Sequence, residues 1–411
     1  MRTEELLAGR ASRLPLITTA TTASPQHPIS FDSGHAFPGL LPDLTAEADR
    51  ALTAYRTETL QYAPRPGLPE LREWIAGYMQ RDGVANASAE ETLVTNGAKH
   101  ALELVCRLLL EEGDAIVVTA PTYFTAIPIF KSFGVEFIEI SQDVDGLNVS
   151  ELEHLLLERK RAGRCSPKFI YDVPDFHNPS GVTMSRERRE ALLALAEKNN
   201  ILVVEDSPYR KVRFEGESQP SLKALDRSGI VLTLGTFSKL LAPGLRIGWV
   251  SGPRDLLNRM VQLKSDAGSC PLTQRIIVEF CNSGRLDSHI KRVQQIYGLH
   301  RDRMVAEVRR QLPEVTLDVP QGGYYVWLTL PEDIDGDVLA SRAAREGVIL
   351  IPGSKFFAGS GGSSFGGKPP KNHVRLAYSH ATPNEIVEGV GRIGEIYRSM
   401  QSGIRIVSVS R

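Results

Sequence analysis

Apolar positions along the chain follow two different periods. From about residue 47 onward, short continuous apolar runs alternate with stretches in which apolar residues recur every three or four positions. Residues 98–110 are apolar at 101, 102, 105, 108 and 109, the spacing of one helix face, and predict a helix. Residues 115–119 are a short apolar run between Gly113-Asp114 and Pro121, which predicts a buried strand. Runs at 169–173, 201–204, 230–234 and 247–250 read the same way, and 186–199 is a helical stretch between two of them. Strands and helices in alternation predict an α/β chain with a mainly parallel sheet covered on both faces. A long helix is expected over 286–312, apolar at 286, 290, 293, 296, 299, 304, 305, 308 and 312. At ~1.5 Å per residue it exceeds ~35 Å, long enough to connect two domains. A strand at 322–328 and a smaller α+β region follow it.

The first forty or so residues are rich in Thr, Ser and Pro and read as an extended arm. Residues 359–371, rich in Gly, Ser, Pro and Lys, read as a flexible surface loop. The segments divide into an arm at 1–46 that joins the small domain, a large domain at 47–290 and a C-terminal small domain at 291–411.

Composition narrows the function classes. The 411 residues are 42% apolar and 24% charged, ordinary for a globular protein. Forty-eight basic residues against 49 acidic ones leave a net charge of −1, without the basic stripe of a nucleic-acid reader. No run reaches the ~18 apolar residues of a membrane span. The four cysteines, Cys106, Cys165, Cys270 and Cys281, form no C-x-x-C pair and lie at no metal-ligand spacing with His. Reduced thiols and an acidic N-terminus without a following apolar run point to a cytoplasmic protein with no metal.

The segment that carries chemistry is Gly235-Thr236-Phe237-Ser238-Lys239-Leu240-Leu241-Ala242-Pro243-Gly244-Leu245-Arg246-Ile247-Gly248-Trp249. A buried strand runs into two hydroxyls and a lysine, then Pro-Gly and an arginine that leads into the next strand. Hydroxyls and a guanidinium around one turn supply donors to anionic oxygens, as a phosphate requires. Burial and a neighbouring cation lower the pKa of a lysine, which is what a lysine forming a Schiff base needs. An isolated Ser-x-Lys is usually a surface turn; the whole string is not.

The string resembles the Schiff-base motif of class I/II aminotransferases, enzymes of fold type I that depend on pyridoxal 5′-phosphate (PLP). It looks closest to the branch that holds 2-aminoadipate and kynurenine aminotransferases and the effector domains of MocR-type regulators. The resemblance runs from Phe31 to about Arg398. It implies a large domain whose mainly parallel seven-stranded sheet is sandwiched by helices, and a smaller α+β domain. It also implies that Lys239 carries the cofactor, with Thr236, Ser238 and Arg246 on its phosphate.

Other motifs match position by position. Asp206 ends the apolar run 201–204 and would pair with the pyridinium nitrogen; its alternative reading is a helix N-cap. Tyr209 matches the tyrosine that hydrogen-bonds the cofactor's phenolic oxygen. Asn178, in Asn178-Pro179-Ser180-Gly181, matches the family's Asn-Pro-Thr-Gly loop, where it would donate to the same oxygen and border the substrate. His177 stands where that branch usually carries Gln, and reads as a loop histidine without a catalytic role. Gly97, Ala98 and Lys99 open the 98–110 helix where the family cradles the phosphate with Gly-Ser-Gln. Ala98 brings no hydroxyl, and Lys99 reaches either the phosphate or solvent. Tyr123 matches the aromatic that stacks on the pyridine ring, and with Lys239 and Asp206 completes the expected catalytic set. Tyr62 matches a tyrosine that reaches the phosphate of the neighbouring subunit, which implies a homodimer with shared sites. Arg375 matches the arginine that holds the substrate α-carboxylate, and Gly34 the loop position facing it.

The resemblance therefore implies amino transfer from an L-amino acid to a 2-oxo acid, with 2-oxoglutarate the expected acceptor and ping-pong kinetics. A lyase, decarboxylase or biosynthetic cyclase on the same frame is the alternative. A regulatory effector domain would need a DNA-binding module of ~70 residues, and only about 30 precede Phe31. The branch's N-terminal specificity helix is replaced by the Thr- and Ser-rich segment 15–28, so the donor amino acid is not named by the sequence.

Overall fold

The computed structural model describes residues 6–14, 28–359 and 368–409, with side chains described as far as 402. The segment 15–27 and most of the Gly-rich stretch after 359, both singled out above, lie outside the described residues.

Eight strands make the large sheet: β1 Thr92–Thr95, β2 Ala115–Ala120, β3 Glu136–Asp143, β4 Gly146–Leu147, β5 Phe169–Asp172, β6 Leu202–Asp206, β7 Val231–Thr236 and β8 Gly248–Ser251. Their order is β1-β8-β7-β6-β5-β2-β3-β4. The run from β7 to β3 is parallel, and β8 is antiparallel to both β1 and β7. The sheet exceeds the seven expected strands by β4, a two-residue return that pairs Gly146 and Leu147 with the end of β3. A turn-back of that length carries no hydrophobic period and leaves no trace in the apolar pattern.

Strands β1, β2, β5, β7 and β8 are buried at every position, which is why they read as continuous apolar runs and not as alternations. Helices Ala98–Leu109, Ala126–Ser132 and Arg186–Lys198 connect them. The connection after β2 leads toward β3, while those after β5 and β6 lead the other way. Strand order therefore reverses between β2 and β5, and a crevice opens beyond the carboxyl ends of the strands there.

The 27-residue helix Arg285–Gln311 leaves this layer and packs along the helix Pro383–Val409. A second sheet joins β9 Tyr325–Thr329, β11 His373–Ala377 and β10 Ile351–Pro352, all antiparallel. The arm returns to this region: Ile29–Ser30 pairs in parallel with Val348–Ile349. Phe31, fully buried, donates its N–H to Ile349 O at 2.7 Å and accepts from Ala377 N at 2.8 Å. Those two bonds fix the next three residues, Asp32 to Gly34, over the crevice. No helix among the described residues is long and apolar enough to cross a membrane.

Candidate active site

The crevice holds a cavity of about 450 Å³, lined by Gly34, Asp206, Lys239 and Arg375 among others. Each wall can be traced to the local fold.

The turn after β7 places Lys239. Thr236 Oγ1 accepts from Ser238 N at 3.1 Å, which tightens the turn and aims Lys239 inward. Its ammonium donates to Gly34 O at 2.6 Å and lies 4.7 Å from the Tyr324 ring centre. Burial, with Arg375 and Arg246 nearby, lowers its pKa from 10.5 to about 8. A 3-10 turn at Pro243–Leu245 then delivers Arg246 in the left-handed region, φ 53°. Its guanidinium donates to Asn96 O at 3.3 Å, beside the start of the helix Ala98–Leu109. Gly97 caps that helix at φ 87°, and a Cβ there would come within 2.8 Å of Arg246 Nη2. Only glycine satisfies both the backbone angle and this approach. The free N–H groups of the helix start, the Ser238 hydroxyl and Arg246 thus converge on one anion-sized space. Lys99 is exposed at its rim.

β6 ends in Asp206, and no helix begins there, so the N-cap alternative does not apply. Asp206 is buried; Oδ2 accepts from the Tyr171 hydroxyl at 2.8 Å, and Oδ1 has no partner among the described residues. Burial raises its pKa to about 6, against the lowering effect of the Tyr171 hydrogen bond. An unpartnered buried carboxylate oxygen is costly unless something cationic or protonated meets it.

The loop after β5 carries Asn178. Arg189, fully buried, anchors that loop through Met184 O, Pro174 O and Asp175, each at 2.9 Å. Burial would raise the Asp175 pKa, but Arg189 and Arg210 outweigh it and hold the carboxyl below its ordinary value. His177 is buried too, between Thr119 Oγ1 at 2.9 Å and Ser180 Oγ at 3.0 Å, and is not among the residues lining the cavity. Asn178 Oδ1 accepts from Arg375 Nη1 at 2.9 Å, while its Nδ2 has no partner among the described residues.

Arg375 comes from β11 and is 1% exposed. Its guanidinium carbon lies 4.0 Å from the Tyr325 ring centre, 5.1 Å from Phe356 and 5.3 Å from Phe124. Nη2 donates to Asp32 O, and Nε has no partner among the described residues. Gly34 leaves no room for a side chain, since a Cβ would fall 2.3 Å from the Tyr325 hydroxyl. Tyr123 and Tyr209 complete the cavity, and Tyr209 Oη donates to Tyr325 Oη at 3.3 Å. Burial pushes the Tyr123 hydroxyl up to about 12.

The chain thus brings Gly34, Ala98, Lys99, Tyr123, Asn178, Asp206, Tyr209, Thr236, Ser238, Lys239, Arg246 and Arg375 around one cavity, with Gly97 directly behind it. Tyr62 is not among them; it is 81% exposed on the surface. Sequence reading assigned no role to Tyr171, Tyr324, Tyr325, Asp32 or Phe124. The pair Tyr324-Tyr325 beside Gly322-Gly323, at the entry to a predicted strand, was the available signal.

These groups fit PLP. Asp206 Oδ1 suits a ring N–H, Asn178 Nδ2 and the Tyr209 hydroxyl suit a phenolic oxygen, and the anion-sized space suits a phosphate. Lys239, with its lowered pKa, suits an aldehyde. Comparison with known proteins agrees. The model of the family "Aminotransferase class I and II" matches residues 29–393. An aromatic-amino-acid aminotransferase of Thermococcus litoralis is 37% identical over 84% of this chain and 81% of its own length. A 2-aminoadipate transaminase of Thermus thermophilus is 33% identical over 90% of each chain. The crystal structure of a multiple substrate aminotransferase from Thermococcus profundus superposes with a TM-score of 0.90 at 34% identity, covering 98% of this chain and all of that one. A chain with this fold, this cavity and these relatives belongs to the class I and II aminotransferases, the PLP-dependent enzymes that transfer amino groups.

Proposed function

We propose that this enzyme moves the amino group of an L-amino acid to a 2-oxo acid, 2-oxoglutarate being the expected acceptor, in two half-reactions at one cavity. The observation that carries the proposal is the placement of Lys239 Nζ between Gly34 O and the Tyr324 ring, in a cavity that also holds Asp206 and Arg375. Bound PLP supplies an aldehyde that condenses with amines and a protonated ring that takes up the electron pair left at Cα. Arg375 holds the substrate α-carboxylate through Nε and its remaining Nη protons, and Gly34 leaves space for it. With substrate bound, Lys239 would serve as the general base toward the Cα proton and then as the general acid that returns it. A lysine with pKa about 8 is about one-tenth neutral at pH 7, against less than about a thousandth for an ordinary lysine at ~10.4, which makes the base form accessible. Asp206 Oδ1 keeps the ring nitrogen protonated. Tyr123 would pack against the ring, and Asn178 and Tyr209 would hydrogen-bond its phenolic oxygen. Thr236, Ser238, Arg246 and the Gly97–Lys99 helix start hold the phosphate, where the missing hydroxyl of Ala98 leaves the load on backbone N–H groups.

The exposed Tyr62 finds a role if two chains share their sites: it reaches the phosphate held by the partner chain, and the functional unit is a homodimer. Four free cysteines favour a cytoplasmic setting. The large domain at 47–290 then carries the cofactor, and the arm with 291–411 closes the substrate side.

The test mixes pure holoenzyme with single L-amino acids. An accepted donor bleaches the visible cofactor band, and added 2-oxoglutarate restores it with stoichiometric glutamate. Release of ammonia or carbon dioxide with no second 2-oxo acid consumed would show a lyase or a decarboxylase instead.

A further inference from the structure

Among the described residues, Tyr171 is the one polar group that hydrogen-bonds the Asp206 carboxylate. It lies on β5, one strand over from Asp206 on β6, and the two strands pair in parallel with Tyr171 opposite Val204. Two residues further along β6 brings Asp206 onto the same face of the sheet as Val204, so the Tyr171 side chain reaches it from the adjacent strand. Its hydroxyl donates to Asp206 Oδ2 at 2.8 Å. The ring is fully buried and fixed edge-on against Phe130, 5.3 Å between centres. Phe130 is itself packed between Phe169 and Phe137. The hydroxyl is thus delivered by a rigid aromatic cluster, not by a side chain that could follow Asp206 if it turned.

We propose that Tyr171 is a positioning residue for the amino transfer: its hydroxyl locks the Asp206 carboxylate with Oδ1 turned to the cofactor's ring nitrogen, and holds that carboxylate ionised. The proposal rests on the reading that Asp206 pairs with that nitrogen. A carboxylate is free to turn about its last bond and to present either oxygen. A donor fixed on Oδ2 removes that freedom and leaves one oxygen, the unpartnered one, for the ring. It also offsets the burial that disfavours the charged form. The phenol does not compete to give up its own proton, because burial and the Asp206 charge raise its pKa well above 10. The mobile proton is therefore the one between Asp206 and the ring. A more basic Asp206 draws that proton toward itself and weakens the ring as an acceptor of electrons.

The experiment uses holoenzyme reconstituted with PLP labelled with ¹⁵N in the ring. Tyr171→Phe keeps the ring packing and removes the donor. It should retain PLP on Lys239, lose about tenfold in kcat with KM for the donor changed by less than about twofold, and move the ¹⁵N resonance toward that of neutral pyridine. Asp206→Asn, measured alongside, should move it further in the same direction. An unmoved resonance in Tyr171→Phe overturns the proposal, whatever happens to kcat, since a purely structural lesion would leave the ring nitrogen as it was. If Tyr171→Phe does not fold, 3-fluorotyrosine placed at position 171 keeps the ring and strengthens the donor. It should shift the resonance the opposite way, and no shift overturns the proposal. Wild-type resonance and turnover in Asp206→Asn would instead remove the pairing of Asp206 with the ring, and the proposal with it.

Discussion

Asp206, Thr236, Ser238 and Lys239 stand at the ends of two adjacent parallel strands, and Asn178 follows the next strand over. Arg375 meets Asp32 across 343 residues of chain and Asn178 across 197. In the proposed function the first group meets the cofactor and the second the substrate carboxylate. On the cofactor side each functional residue follows a buried strand, so the strand itself sets its position. On the carboxylate side nothing is in place until the N-terminal arm has paired with Val348–Ile349 and β11 has paired with β9 and β10. The groups proposed to hold the cofactor rest on rigid, locally encoded ends of strands. The part that meets the varying substrate rests on long-range packing between chain termini, which can change without disturbing the cofactor.

Four substitutions and one titration can break or sharpen this contrast. Lys239→Ala should keep PLP bound but lose at least about four orders of magnitude in turnover, since the group proposed to move the α-proton is gone. Its single-turnover rate with a good donor measures this, and a loss under tenfold would show that another base acts. Asp206→Asn should lose on the order of three decades in kcat, about 4 kcal/mol of transition-state stabilisation, because an amide cannot hold the ring protonated. Near-normal turnover would reduce Asp206 to a structural residue. Arg375→Lys should act on the other side of the contrast. kcat/KM for the donor should fall about a hundredfold, mostly in KM, with the cofactor spectrum unchanged, since an ammonium lacks the guanidinium's two-point contact. A large fall in PLP affinity instead would mean that the two sides are not separable.

The titration concerns apoenzyme. With a pKa of about 8, Lys239 gains a proton as pH falls through 8 and becomes neutral above it. The second-order rate of PLP capture should therefore rise about tenfold per unit up to pH 8 and flatten beyond, whereas an ordinary lysine at ~10.4 would keep rising to pH 10. Stopped-flow absorbance from pH 6 to 10 distinguishes the two curves. The smallest effect is expected for Tyr62→Phe, a loss of about tenfold in PLP affinity from one hydrogen bond to phosphate. Mixing Tyr62→Phe with Lys239→Ala subunits should restore PLP affinity at one site of the hybrid dimer, because both lesions fall in the other. No such site would rule out sharing.

Much of the cofactor side was legible in the chain because each element there is short-range. The run 230–234 was read as a strand, and the structure extends it to Thr236, at the foot of the Lys239 turn. Gly97 marked the start of the next helix, where its φ of 87° and the approach of Arg246 both demand glycine. Tyr171 escaped because its hydrogen bond crosses between strands, and which strand neighbours which is a matter of sheet order. The buried contact of His177 with Thr119 on the neighbouring strand escaped for the same reason. Tyr325 lay in a predicted strand without a role and Phe124 carried no assignment, yet they flank the Arg375 guanidinium.

The sequence by itself determined the strand and helix alternation and marked the turns and the lysine that the structure brings to one cavity. These depend on backbone conformation and burial over a few residues, which local side-chain chemistry dictates. Only the tertiary structure decided that Asp206 has one oxygen spoken for and one free, that Gly34 lies against Lys239 and Tyr325, and that three aromatic rings surround Arg375. Those facts depend on distances between groups brought together by packing, and no spacing along a chain encodes a distance across a cavity.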